Sequence, residues 1–89
     1  MQQRSVTIVN KLGLHARAAA RLVTTASAFT CHIDVAKDGQ TVNGKSIMGI
    51  MMLAASRGTE LVITTSGDDE IEAADSIEQL ITDRFGEHE

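Results

Sequence analysis

Four short stretches of the chain alternate apolar with polar residues, and three longer ones repeat apolar residues at helical spacing. Val6 and Ile8 alternate with Ser5, Thr7 and Val9, which predicts a first strand. Asn10 to Gly13 is a break, and the alanine-rich run Ala16 to Ala28, with Leu22, Val23 and Ala26 on one side, predicts a helix. Cys31 to Val35 alternates again, with Ile33 and Val35 in phase. Asp38-Gly39 is a hairpin signal, because both residue types tolerate positive φ, and Thr41-Val42 is the return strand. Ser46 is a good cap for a helix from about Ile47 to Ala55, with Gly58 just past its end. Glu60 to Thr65 is β-branched and alternating, and Ser66-Gly67-Asp68 turns the chain. Ile71, Ala74, Ile77 and Ile81 then predict a helix to about Arg84, with Asp68, Asp69, Glu70 and Glu72 at its positive end.

The order is β-α-β-β-α-β-α, an α+β pattern. Alternating strands imply a sheet with one buried face, so the helices are expected on that side only. Eighty-nine residues make one domain, 1–89, with a thin core. With two phenylalanines and no tyrosine or tryptophan, that core must be aliphatic.

Charge and composition narrow the function. The net charge is −4, the bases are scattered and no aromatics interleave them, which argues against nucleic-acid binding. The single Cys31 excludes an internal disulfide, and no apolar run approaches the length of a membrane span. With no apolar leader at Met1 to Arg4, the cytoplasm is the expected location.

The candidate chemistry lies in Gly13-Leu14-His15-Ala16-Arg17. His15 falls at the start of the first helix, where free N–H groups and the macrodipole favour an anion. Imidazole is a poor cap, so its position asks for another reason. A phosphoryl group on the ring would meet the amides of Ala16 and Arg17, and the Arg17 side chain would add a cation. The helix end also favours a neutral, nucleophilic ring. On the residues alone, a solvated loop histidine is the commoner case.

Gly13-Leu14-His15-Ala16-Arg17-Ala18-Ala19 resembles the active-site signature of the HPr family of phosphocarriers. Gly44-Lys45-Ser46-Ile47-Met48-Gly49-Ile50 resembles that family's second signature at the matching separation, and Gly58-Thr59-Glu60-Leu61 fits its last turn. The resemblance implies an open-faced β-sandwich, with four antiparallel strands under three helices. It also implies a relay rather than an enzyme in the usual sense. Enzyme I, charged by phosphoenolpyruvate, would phosphorylate His15, with Arg17 supporting the phosphate, and an enzyme IIA histidine would receive it. The family carries the phosphate on Nδ1, which the sequence does not itself distinguish from Nε2. No cofactor or metal is called for, and a monomer is expected.

Ser46 reads first as a plain cap, while the resemblance makes it a regulatory site for HPr kinase/phosphorylase. Phosphate there would suit the helix dipole but repel acidic partners. The second helix is apolar nearly all round. Ile50 and Leu53 are assigned to the core, and Ile47, Met48 and Met51 to an exposed docking patch beside His15, with Arg21 and Lys45 as further docking residues.

Two other functions compete. Gly39 to Ser46 matches the phosphate-loop pattern of nucleotide-binding modules, although a hairpin turn and a strand are expected inside it. A purely regulatory binding module using the methionine patch would make His15 incidental. His32 should face solvent, His88 sits in an acidic tail, and neither has metal-like partners. No pair of acids has a catalytic context.

The chain departs from the family in carrying Ala18 where many members have proline. Thr24, Ser27 and Gly49 stand where several carry lysine, which leaves Arg17, Arg21 and Lys45 for steering. The alanine run and acidic tail lean toward the nitrogen-type carriers rather than the sugar-type, and the branch stays open.

Overall fold

The computed structural model describes all 89 residues. Its elements are β1 (Gln2–Thr7), α1 (Ala16–Ser27), β2 (His32–Lys37), β3 (Gln40–Asn43), α2 (Ile47–Met52), β4 (Glu60–Ser66) and α3 (Glu70–Thr82), followed by a 3-10 turn at Arg84–Gly86. The order expected from the pattern is the order found.

The strands form one antiparallel sheet in the order β1-β4-β2-β3. Val6 pairs with Leu61 and Val35 with Ile63, which puts the alternating apolar residues on one face. Val6, Ile33, Val35, Leu61 and Ile63 are buried there against Leu22, Ile50, Ile77 and Ile81 from the helices. The hairpin turn uses positive φ at Asp38 (48°) and Gly39 (83°). Residues 39–46 therefore span that turn, the whole of β3 and the cap of α2, and no single loop in them can wrap a phosphate. No helix is long and apolar enough to cross a membrane.

Three expectations are corrected. The second helix stops at Met52, three residues early. Ala54 takes a left-handed conformation (φ 49°), and Lys37 Nζ donates to the carbonyls of Leu53 (2.9 Å) and Ala54 (3.4 Å). A lysine from β2 thus satisfies the helix end, and Gly58 serves the turn into β4 instead. Ile71 is not a core residue but 57% exposed. At about 100° per residue it lies about 105° from the mean direction of the buried Ala73, Ala74, Ile77 and Ile81. Helix α3 also ends at Thr82, and the chain reverses through left-handed Arg84 (57°), Phe85 (54°) and Gly86 (78°). That reversal carries the tail back toward α1, with Phe85 fully buried as its anchor.

Of the acids before α3, Glu70 and Glu72 occupy its first turn. Asp69 instead crosses to the α1–β2 connection, where it accepts from the amides of Thr30 and Cys31, both at 2.9 Å. Hydrogen bonds from Thr30, then Cys31, hold its carboxyl below the ordinary range despite some desolvation.

Candidate functional site

The loop after β1 sets the position of His15. Gly13 has φ 65°, and a Cβ there would lie 2.5 Å from the carbonyl oxygen of Ala55, so only glycine fits. The next amide, Leu14, donates to that same oxygen at 2.9 Å, and the Leu14 side chain is buried. The loop is thereby clamped to the segment following α2. His15 follows as the cap residue of α1 (φ −72°, ψ 177°), with a carbonyl that accepts from Ala19 and a side chain that makes no capping bond. The amides of Ala16, Arg17 and Ala18 consequently have no acceptor in the protein. Ala18 is buried inside a complete helix, so the absence of proline costs α1 nothing in extent.

The ring is held through Nε2. Glu87 Oε2 lies 2.5 Å from His15 Nε2, with side-chain exposures of 14% for Glu87 and 29% for His15. The other carboxylate oxygen accepts from Asn10 Nδ2 at 3.0 Å, and the same Asn10 amide donates to the carbonyl of Gly13 at 2.9 Å. Burial pushes the Glu87 carboxyl upward, but the hydrogen bonds from His15 and Asn10 and the nearby charges of His15 and Arg17 outweigh it. Glu87 is left below its ordinary value. A carboxylate on Nε2 accepts that nitrogen's proton and leaves the Nδ1 lone pair unengaged. An open cleft of ≈ 640 Å³ lies alongside, lined by Lys11, Leu12, His15, Ala16, Arg17, Glu87 and Glu89. It brings together His15, Arg17 and the amide-bearing Ala16, and the Arg17 guanidinium has no partner.

Other anticipated residues are placed differently. Arg21 is committed to the carbonyl of Phe85, where it ties the tail to α1. Lys45 Nζ donates to the carbonyl of Phe29 at 2.7 Å. Phe29 lies beyond the far end of α1, whose 12 residues at 1.5 Å each put about 18 Å between that end and the His15 end. Both cations are thus occupied with backbone carbonyls, and Arg17 is the free one of the three. Ser46 caps α2, its Oγ accepting from Gly49 N at 3.1 Å. Since Lys45 meets the end of α1 and Ala55 meets its start, α2 runs antiparallel to α1. Ile47 (39% exposed) and Met48 (72%) therefore lie at the end remote from His15, and Met51 (45%) lies nearer. Met52 (66%) and Leu12 (67%), not assigned to the docking patch from the sequence, are further exposed apolar residues, and Leu12 lines the His15 cleft. Ile50 and Leu53 are core residues, as assigned. His32 is exposed on its strand and meets Asp34 at 3.0 Å. Cys31 is buried, and that burial, with Asp69 beside it, pushes its thiol up and away from reactivity.

Sequence reasoning missed Asn10 and Glu87. Asn10 looked like a turn former and Glu87 like part of a solvated tail. The available signal was Phe85, an aromatic residue beyond the last helix, which has to be buried somewhere and so draws the tail inward.

Comparison with known proteins accords with this geometry. A family profile described as "PTS HPr component phosphorylation site" matches residues 2–83. The chain is 51% identical over 89 residues to "Phosphocarrier protein HPr" of Cupriavidus necator, covering all of both chains. It superposes on the crystal structure of HPr-C-His from Thermoanaerobacter tengcongensis with a TM-score of 0.96, at 48% identity and full coverage of both. A structure described as an HPr dimer from the same organism matches with a TM-score of 0.79 at 49% identity, covering 98% of this chain and 100% of that one. A cap-position histidine beside unpaired helix amides, on this sheet and under this sequence match, makes the chain a member of the HPr family of phosphocarrier proteins.

Proposed function

We propose that His15 Nδ1 accepts a phosphoryl group from phosphorylated enzyme I and passes it to a histidine of an enzyme IIA protein. The bond from phosphorus to the donor nitrogen breaks as the bond to Nδ1 forms, and the reverse exchange hands the group onward. The observation that carries this reading is the arrangement around one ring. Nε2 is engaged by Glu87, Nδ1 is bare, and three free amides and the unpaired Arg17 stand next to it. Those amides and Arg17 supply donors and positive charge for the phosphoryl oxygens. Glu87 holds the ring in one tautomer and stabilises the positive charge it gains when Nδ1 bonds to phosphorus.

The exposed Ile47, Met48 and Met51, with Met52 and Leu12, form the apolar docking surface in this reading, and methionine lets one face serve several partners. Arg21 and Lys45 support that surface by holding its edges. Ser46 is a regulatory phosphorylation site for an HPr kinase/phosphorylase. Phosphate on its Oγ displaces the Gly49 contact but remains at the positive end of α2, so the fold persists while docking of acidic partners is opposed. The carrier is a cytoplasmic monomer in this scheme.

The test is incubation with enzyme I and labelled phosphoenolpyruvate, beside His15→Ala. Acid-labile label on the unsubstituted protein alone is the expected result. Absence of label with a competent enzyme I, or equal label on His15→Ala, refutes the reading.

A further inference from the structure

Eight lysines and arginines serve a chain of net charge −4, and most are already engaged. Arg4 pairs with Asp75 and Glu78, Lys11 with Glu89, and Arg21, Lys37 and Lys45 with backbone carbonyls. Only Arg17, Arg57 and Arg84 lack a partner. Arg17 lines the His15 cleft. Arg57 and Arg84 line a second recess of ≈ 400 Å³ with Val9, Lys11, His88 and Glu89. Lys11 and Glu89 belong to both, so one ion pair, 3.3 Å across, is the wall between the two openings.

We infer that Lys11, Arg57, Arg84 and His88 form a second recognition recess that receives an acidic segment of the protein from which His15 takes its phosphoryl group. The inference rests on the carrier reading and adds a contact to it. Three cations face one carboxylate there, with the His88 ring beside them. The chain's own tail shows what fits. Glu87 has an extended backbone (φ −84°, ψ 152°), and the two acids Glu87 and Glu89 reach His15 and Lys11 respectively. Glu89 thus occupies the edge of the recess as an internal stand-in, and it withdraws when the partner's carboxylates arrive.

A protein partner suits the recess better than a small anion. All four basic side chains belong to exposed residues, so a lone ion would remain in water and be held weakly. A partner bonding to Nδ1 must in any case cover the neighbouring surface. A standard interface of about 800 Å² per side is a disc of about 16 Å radius, and a recess sharing a wall with the His15 cleft falls inside it.

The experiment measures transfer from phosphorylated enzyme I to the full chain, to Arg57→Glu/Arg84→Glu and to Glu89→Gln, with amide spectra to verify folding. At about 20 mM salt the double variant is expected to raise KM at least about fivefold with kcat unchanged, and the difference should vanish near about 500 mM salt. Glu89→Gln is expected to lower KM by about twofold, because it removes the competitor. A double-variant KM within twofold of the unsubstituted protein at low salt, while that protein is labelled normally, overturns the recess alone. No label on the unsubstituted protein overturns the carrier reading and this inference with it.

Discussion

Replacing Glu87 by alanine removes the one protein acceptor on the His15 ring and leaves Asn10 Nδ2 with only the Gly13 carbonyl. A hydrogen bond to a charged group contributes about 1.5–3 kcal/mol, and with the ring 29% exposed the lower half of that range applies to folding. The effect on the proposed transfer is larger, because there the ring becomes positive as phosphorus bonds to Nδ1 while its Nε2 lies 2.5 Å from the carboxylate. At about 1.4 kcal/mol per tenfold, loss of the whole interaction in the transition state slows transfer about 10- to 100-fold. Glu87→Gln keeps an acceptor oxygen without the charge and should fall between the two. The assay is single-turnover transfer from phosphorylated enzyme I at saturating donor, with the label then located on His15. Rates within twofold of the unsubstituted protein in both variants would refute the role given to Glu87. Stability should follow the same group. Its folded pKa lies below the ordinary 4.5, so it adds stability above about pH 4.5 that is lost as pH falls through the lower folded value. Denaturant midpoints of Glu87→Gln should therefore decline less across that acid range.

Arg17→Ala, which removes the unpaired guanidinium from the cleft, should slow phosphorylation about tenfold in the same assay, and Arg17→Lys should restore part of the loss. Ser46→Ala should cost about 1 kcal/mol through the Gly49 cap and lower Tm by a few degrees, whereas Ser46→Asp should keep the fold and raise KM for the donor. Ala54→Gly relieves a left-handed residue at the end of α2 and should stabilise the protein by up to about 1 kcal/mol in denaturant unfolding, without changing transfer.

The sheet was legible because its strands have one wet face, so period two survives in Val6/Ile8, Ile33/Val35 and Leu61/Ile63. Helix α1 was legible because its alanines have no competing preference. The errors fell where a distant residue decided a local matter. Lys37 from β2 settles the end of α2, and Asp69 turns away from its own helix to reach Thr30 and Cys31. His15 and Arg17 stood out at the start of a predicted helix, but it was the family resemblance, not that position alone, that pointed to their chemistry. Glu87 could not be read, because it stands 72 residues away and reaches the ring through three successive left-handed residues that no periodicity announces. Arg21 and Lys45 looked free because sequence shows charge and not the carbonyls that occupy it.

The tail is held by the buried Phe85 at its reversal and, beyond that, by contacts of Glu87 and Glu89 with His15, Asn10 and Lys11. Left-handed Arg84 and Phe85 cost roughly 1–2 kcal/mol each. Burial of Phe85 returns about 1.5–3 kcal/mol, and Arg21 adds its bond to the Phe85 carbonyl. The reversal is therefore close to balanced, and what lies past Gly86 depends on its own contacts with His15, Asn10 and Lys11. In the proposed relay the phosphoryl group binds Nδ1 while Glu87 approaches Nε2, so the two would occupy different edges of the ring and the tail would not have to leave during the cycle. In that relay the ring is more positive with phosphorus fully bonded than in either transition state, so a carboxylate that steadies the positive ring stabilises the phosphorylated carrier most. Glu87→Ala should accordingly slow acceptance from enzyme I, leave donation to enzyme IIA unchanged or faster, and shift the equilibrium away from the phosphorylated carrier. Equal slowing of both half-reactions with an unchanged equilibrium would refute a role for Glu87 in steadying the charge of the phosphorylated ring.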